Sequence, residues 1–136
     1  MNKENSSLLV DDATPFGEAE ESEQHISFLK KYVFNPGAFL SDILSVQRPD
    51  PWQLHTLEML LKKRFVAVRS GNGPGKTALL AWAVLWFLVT RSMSVVPCTA
   101  ISKTQLEATL WAELFRWINV SPYLKKRLRW THEEVQ

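Results

Sequence analysis

The stretch Val68-Arg69-Ser70-Gly71-Asn72-Gly73-Pro74-Gly75-Lys76-Thr77 decides how this chain reads. Three glycines alternate ahead of a Lys-Thr pair. A short apolar run, Phe65 to Val68, precedes them, and a long one, Ala78 to Val89, follows. Strand, glycine-rich loop and helix form the context of a phosphate-binding loop. The glycines let the backbone curl so that several N–H groups converge on one hollow, with the positive end of the next helix behind them. On this reading Ser70, Gly71, Asn72, Gly73, Pro74 and Gly75 cradle the phosphates of a nucleotide. Lys76 reaches the β- and γ-phosphates, and the Thr77 hydroxyl holds Mg²⁺. The pattern G-x-x-x-x-G-K-[ST] is broken once, because its first glycine falls on Ser70; Gly71 and Gly73 then supply the flexibility. The plainer alternative is a glycine-rich turn, and the Lys-Thr pair directly after the last glycine argues against it.

Working outward, the flanks predict a βαβ unit. Phe65–Arg69 reads as a strand buried on both faces, because its apolar run does not alternate. Lys76–Thr90 reads as a helix apolar nearly all round, which has to be covered on most sides. Trp82 and Trp86 then belong to a core rather than to a base-stacking surface. Ser94–Thr99 reads as a second strand, parallel to the first and joined by a right-handed crossover. In such a sheet the strand end at Thr99-Ala100 faces the ligand.

The remaining segments predict helices. Ile26, Leu29, Val33 and Phe34 share a face of a helix over 25–34. Asn35-Pro36, Asp50-Pro51 and Ser121-Pro122 each pair a capping residue with Pro at the first helical position, marking three helix starts. Ser102-Lys103-Thr104-Gln105 has capping-box form and opens a helix to about Asn119, with Leu106, Leu110, Leu114 and Ile118 every four residues. Gln53 lies in the first turn of the helix from Pro51. Its amide matches the N6/N7 edge of adenine, and a surface glutamine is the plainer alternative. Tyr123 to Trp130 interleaves Lys125, Lys126, Arg127 and Arg129 with aromatic residues. That suits either a nucleic-acid backbone or a basic amphipathic helix laid on the body.

Composition narrows the class. At 136 residues the chain holds at most one domain, and a hydrophobic content of 46% is ample for a core. The lone Cys98 excludes a disulfide framework within the chain and fits a reducing compartment. His25, His55 and His132 are too scattered for a metal-ligand pattern. The apolar run to Val89 is too short to span a bilayer comfortably, so no membrane role is expected. Residues 1–24 carry one lysine against seven acids, a net −6, so the chain's +2 leaves +8 on the rest. The segment 1–24 therefore reads as a disordered acidic tail, and 25–136 as a basic body suited to a polyanionic partner.

Taken together, Asp50-Pro51-Trp52-Gln53, the run Val66 to Trp82, Val96-Pro97-Cys98-Thr99-Ala100 and Gln105 to Leu114 resemble the N-terminal part of the ATPase domain of the large terminase subunit. That protein is the DNA-packaging motor of tailed bacteriophages and prophages. The resemblance spans roughly residues 48–118. It implies a RecA-like P-loop NTPase fold of the additional-strand class, incomplete here and preceded by helices. It implies ATP-driven movement of double-stranded DNA into a procapsid in the host bacterial cytoplasm. Its partners would be a portal protein and a small terminase subunit, within a homo-oligomeric motor. Gln53 matches the family's adenine-contacting glutamine, Arg69 an arginine that responds to the γ-phosphate, Lys76 the phosphate-binding lysine, and Thr77 the Mg²⁺-coordinating position. The family's second acidic motif, an apolar run ending in Asp-Glu, has no counterpart after residue 100, and its nuclease domain is absent. The expectation is an N-terminal fragment that binds ATP with little turnover. A helicase-like or replication P-loop ATPase and a non-catalytic prophage remnant are the competing readings.

Overall fold

The computed structural model describes residues 15–73 and 75–128, with side chains from residue 23 onward. Helices α1 (Pro15–Val33), α2 (Pro36–Asp42), α3 (Pro51–Lys62) and α4 (Lys76–Thr90) come first. A rod follows, made of α5 (Lys103–Leu106), a π turn (Glu107–Trp111) and α6 (Ala112–Val120), and then α7 (Pro122–Arg127).

The three polar–proline pairs do start helices. Asn35 Oδ1 accepts from the Ala38 N–H at 3.0 Å, and Ser121 Oγ accepts from the Leu124 N–H at 3.3 Å. Asp50 opens α3, with its own N–H donating to Gln53 Oε1 at 2.9 Å. Each cap satisfies a backbone group that the first helical turn would leave without a partner. The rod shows why Leu106, Leu110, Leu114 and Ile118 recur every four residues. On a 3.6-residue helix that spacing drifts round the axis, and the wider π turn takes up the drift. Leu110, Leu114 and Ile118 consequently stay on the buried side.

Helix α4 is the centre of the molecule. Leu79, Ala81, Trp82, Val84, Leu85 and Trp86 are buried. They meet Tyr32 of α1, Phe39 and Leu40 of α2, Leu57 of α3, Leu114 and Ile118 of α6 and Leu124 of α7 in one core. Trp82 stands edge-on to Trp117, with centroids 5.5 Å apart. Both buried tryptophans are core residues, as the all-round apolar helix requires. On α1 the inward side is set by Phe28 and Tyr32, whereas Ile26 and, just past the helix end, Phe34 are exposed. Helix α1 also starts at Pro15, inside the segment expected to be a tail; residues 1–14 lie outside the described residues.

The expected parallel βαβ core is overturned. Among the described residues there is no β-strand, and the architecture is all-helical. Phe65–Arg69 and Ser94–Thr99 run without helix or ladder on either side of the loop–α4 unit. In the second of these, Ser94, Val96 and Cys98 are half-buried while Val95, Pro97 and Thr99 are exposed. The chain therefore keeps a two-residue alternation without a partner strand. Parallel strands hold only when ladder bonds continue on their edges and helices cover both faces. Here helices cover one face: Phe65 is 84% and Val95 82% exposed. Pro97 also withholds one backbone donor from any ladder. The reading of Phe65–Arg69 as a strand buried on both faces is corrected accordingly.

Candidate functional site: the glycine-rich loop ahead of helix α4

The loop joins the extended segment to α4. Gly73 and Gly75 take φ of +86° and +85°, in the left-handed region that favours glycine. Gly71 does not, and neither does Ser70, since Ser45 and Met93 are the non-glycine residues with positive φ among those described. Serine therefore fits without strain where the consensus has its first glycine. Arg69, Ser70, Gly71, Asn72 and Gly73 are exposed; Gly75, Lys76 and Thr77 are half-buried; Pro74 lies outside the described residues.

Gly75 is the N-cap of α4, and its lack of a side chain leaves the first turn uncapped. That turn also carries no acidic residue. The N–H groups at the start of this 15-residue helix, together with the helix dipole, make its N-terminal end electropositive. Lys76 adds a formal charge there. Its Nζ folds back and donates to the carbonyls of Ser70 at 2.6 Å and Gly71 at 2.8 Å. The ammonium thus ties the start of α4 back to the first carbonyls of the loop.

Helix α3 secures the other side of the loop. Gln53 is 4% exposed, so it is not a surface glutamine. Its Nε2 donates to the Gly75 carbonyl at 3.1 Å, which also accepts the Leu79 N–H at 3.0 Å. The sequence marks Gln53 as a first-turn residue but carries no sign of this bond. The Asp50-x-x-Gln53 spacing signals the cap, whereas the link spans 22 residues and leaves no local trace.

Of the other expected site residues, Thr77 follows Lys76 in the first turn of α4. Arg69 is exposed and forms no ion pair with a described residue. A hollow of about 320 Å³ opens beside Lys76, between Thr56 and Leu60 of α3, Val66 and Val68 of the extended segment, and Leu79 and Leu80 of α4. No group of three metal-ligating side chains occurs among the described residues. Burial pushes the Cys98 thiol up, which disfavours the thiolate.

Helix α7 is an amphipathic helix laid on the body. Leu124 is fully buried, Lys125, Lys126 and Arg127 are exposed, and the Arg127 guanidinium lies 4.8 Å from the Tyr123 ring centre. Arg129 and Trp130 of the basic-aromatic cluster lie outside the described residues. No described helix is long and apolar enough to cross a membrane.

No family model, no curated protein and no solved structure matches this chain.

Proposed function

We propose that the Arg69–Thr77 loop binds the phosphates of ATP with Mg²⁺, and that the chain is the ATP-binding part of a large-terminase-like DNA-packaging motor. One observation carries the first part. Two left-handed glycines deliver an uncapped helix N-terminus and the Lys76 ammonium to the same short loop. Those are the fixed dipole and the mobile charge that a polyphosphate needs. The Thr77 hydroxyl would join phosphate oxygens and waters around Mg²⁺, which keeps most of its water and needs few protein ligands. Bound Mg²⁺ would neutralise phosphate charge.

The second part rests on the order and spacing of the motifs from Asp50 to Leu114. On it, the polyanion suited to the basic body is double-stranded DNA, and the portal, the small subunit and further copies of the chain are the motor's partners. On this reading Arg69, exposed at the start of the loop, would be the γ-phosphate sensor. A contact between Gln53 and adenine would require its amide to give up the bond to Gly75.

Calorimetric titration with Mg-ATP tests the site. Binding is expected in the wild type and weakened at least tenfold in Lys76→Ala, since a charge-assisted bond to phosphate contributes about 1.5–3 kcal/mol. Equal affinity in the two proteins would refute the reading.

A further inference from the structure

We infer that Gln53 is a positioning residue for the phosphate loop, acting through the Gly75 carbonyl on whatever polyphosphate binds there. The inference rests on the phosphate-site reading and gives Gln53, from a different helix, a role in it that does not involve the base. Each end of the buried amide has a protein partner: Oε1 accepts from Asp50 N–H at 2.9 Å, and Nε2 donates to Gly75 O at 3.1 Å. The first bond belongs to the start of α3, where the Gln53 N–H also donates to the Asp50 carbonyl at 2.9 Å. The amide is therefore fixed at its own end and grips the loop at the other.

What it grips matters for an anion. The Gly75–Lys76 peptide is planar and trans, so its C=O and N–H point in opposite directions. Holding the Gly75 oxygen towards α3 and the Leu79 N–H aims the Lys76 N–H back out of the helix end, where a phosphate would sit. The Leu79 N–H alone would hold this peptide, which follows a glycine, from within α4; Gln53 adds a second hold from α3. The fit is close: a Cβ on Gly75 would stand 2.6 Å from Gln53 Nε2, while Cβ atoms on Gly71 and Gly73 would meet nothing within 4 Å. Among these three loop glycines, only Gly75 is pressed against a partner.

A positioning residue acts on the phosphate chain and is blind to the base, whereas an adenine reader is not. The test is therefore titration of wild type, Gln53→Ala and Gln53→Glu with Mg-ATP, Mg-GTP and Mg-tripolyphosphate. Gln53→Ala is expected to weaken all three by a common factor of about ten, the value of one hydrogen bond at a buried site. Gln53→Glu keeps the acceptor for Asp50 N–H but sets a carboxylate oxygen against the Gly75 carbonyl, so it is expected to weaken all three at least as much. Loss confined to ATP would overturn the inference in favour of base reading, and no loss for any ligand would overturn it outright.

Hydrogen exchange supplies a readout that needs no ligand. The Leu79 amide, which shares the Gly75 carbonyl, is expected to exchange about tenfold faster in Gln53→Ala, with the amide of buried Leu85 unchanged. If the wild type bound none of the three ligands, the phosphate reading would fall. In that case an unchanged Leu79 amide would also sink the role of Gln53, and a faster one would keep its grip on the loop.

Discussion

The indole N–H of Trp86 donates to the backbone carbonyl of Tyr32 at 2.8 Å, inside the core. This bond joins the C-terminal half of α4 to the end of α1 across 54 residues of sequence. The Tyr32 carbonyl also accepts the Asn35 N–H at 3.2 Å, so the loop into α2 shares the junction. Trp86→Phe keeps an aromatic ring but removes the donor and leaves a void. It is expected to cost about 2–3 kcal/mol, from the lost bond and the lost packing together. Urea denaturation should show a lower midpoint at an unchanged slope; a loss below about 0.5 kcal/mol would mean the junction contributes nothing.

The two serine caps differ in their surroundings. Ser121 is fully buried and accepts the Leu124 N–H, whereas Ser102 is exposed and accepts the Gln105 N–H at 3.1 Å. Water can replace the second acceptor but not the first. Ser121→Ala is expected to cost about 1–2 kcal/mol and Ser102→Ala about 0.5–1 kcal/mol. Thermal unfolding of the two variants side by side checks the order, and a larger loss in Ser102→Ala would contradict it.

The loop glycines predict a graded series. Gly71 has neither positive φ nor a close neighbour, so Gly71→Ala is expected to be neutral or to stabilise by up to about 1 kcal/mol, through the unfolded chain. Gly73→Ala adds left-handed strain of about 1–2 kcal/mol, with open space for the methyl. Gly75→Ala carries the same strain and a clash with the Gln53 amide, so it should be the most destabilising. Denaturant midpoints falling in the order Gly71, Gly73, Gly75 are the expected result.

The helices were legible because their signals are local. A capping residue followed by proline, and an apolar pattern with helical period, need no distant partner to be satisfied. The absence of strands among the described residues was not legible, because an apolar run such as Phe65–Val68 becomes a strand only if ladder partners arrive from elsewhere. Val66 meets that run's half of the requirement by facing the helices; Phe65 shows the unmet half by remaining exposed. The same distinction explains the site. Lys76 and the glycines declare themselves in ten consecutive residues, while the Gln53 bond to Gly75 is tertiary and appears only once α3 is placed against α4. The inward face of α1 was misjudged between neighbours: Tyr32 is buried with its hydroxyl reaching Asp42 at 3.1 Å, while the more apolar Phe34 ends up outside.

His25 predicts how stability responds to pH. Its ring stacks on Phe28, and its Nε2 lies 3.2 Å from an Arg127 guanidinium nitrogen. Desolvation first, and the Arg127 charge second, lower its pKa from the ordinary 6.5. The folded chain therefore refuses a proton that the unfolded chain accepts. Above about pH 7 both states leave His25 neutral and it makes no difference. As pH falls through 6.5 the unfolded state gains protons first, so stability declines, levelling off below the folded pKa. Asp42 acts in a lower window. Its pKa is depressed below 3.8 by hydrogen bonds from Lys31, then Ser41 and Tyr32, so its contribution is present above 3.8 and is lost as pH falls through the folded value. His25→Gln is expected to flatten the urea midpoint between about pH 5 and 7 while leaving the acid limb below pH 4 in place. Asp42→Asn should do the reverse. A profile between pH 5 and 7 that keeps its slope in His25→Gln would show that another group carries that proton.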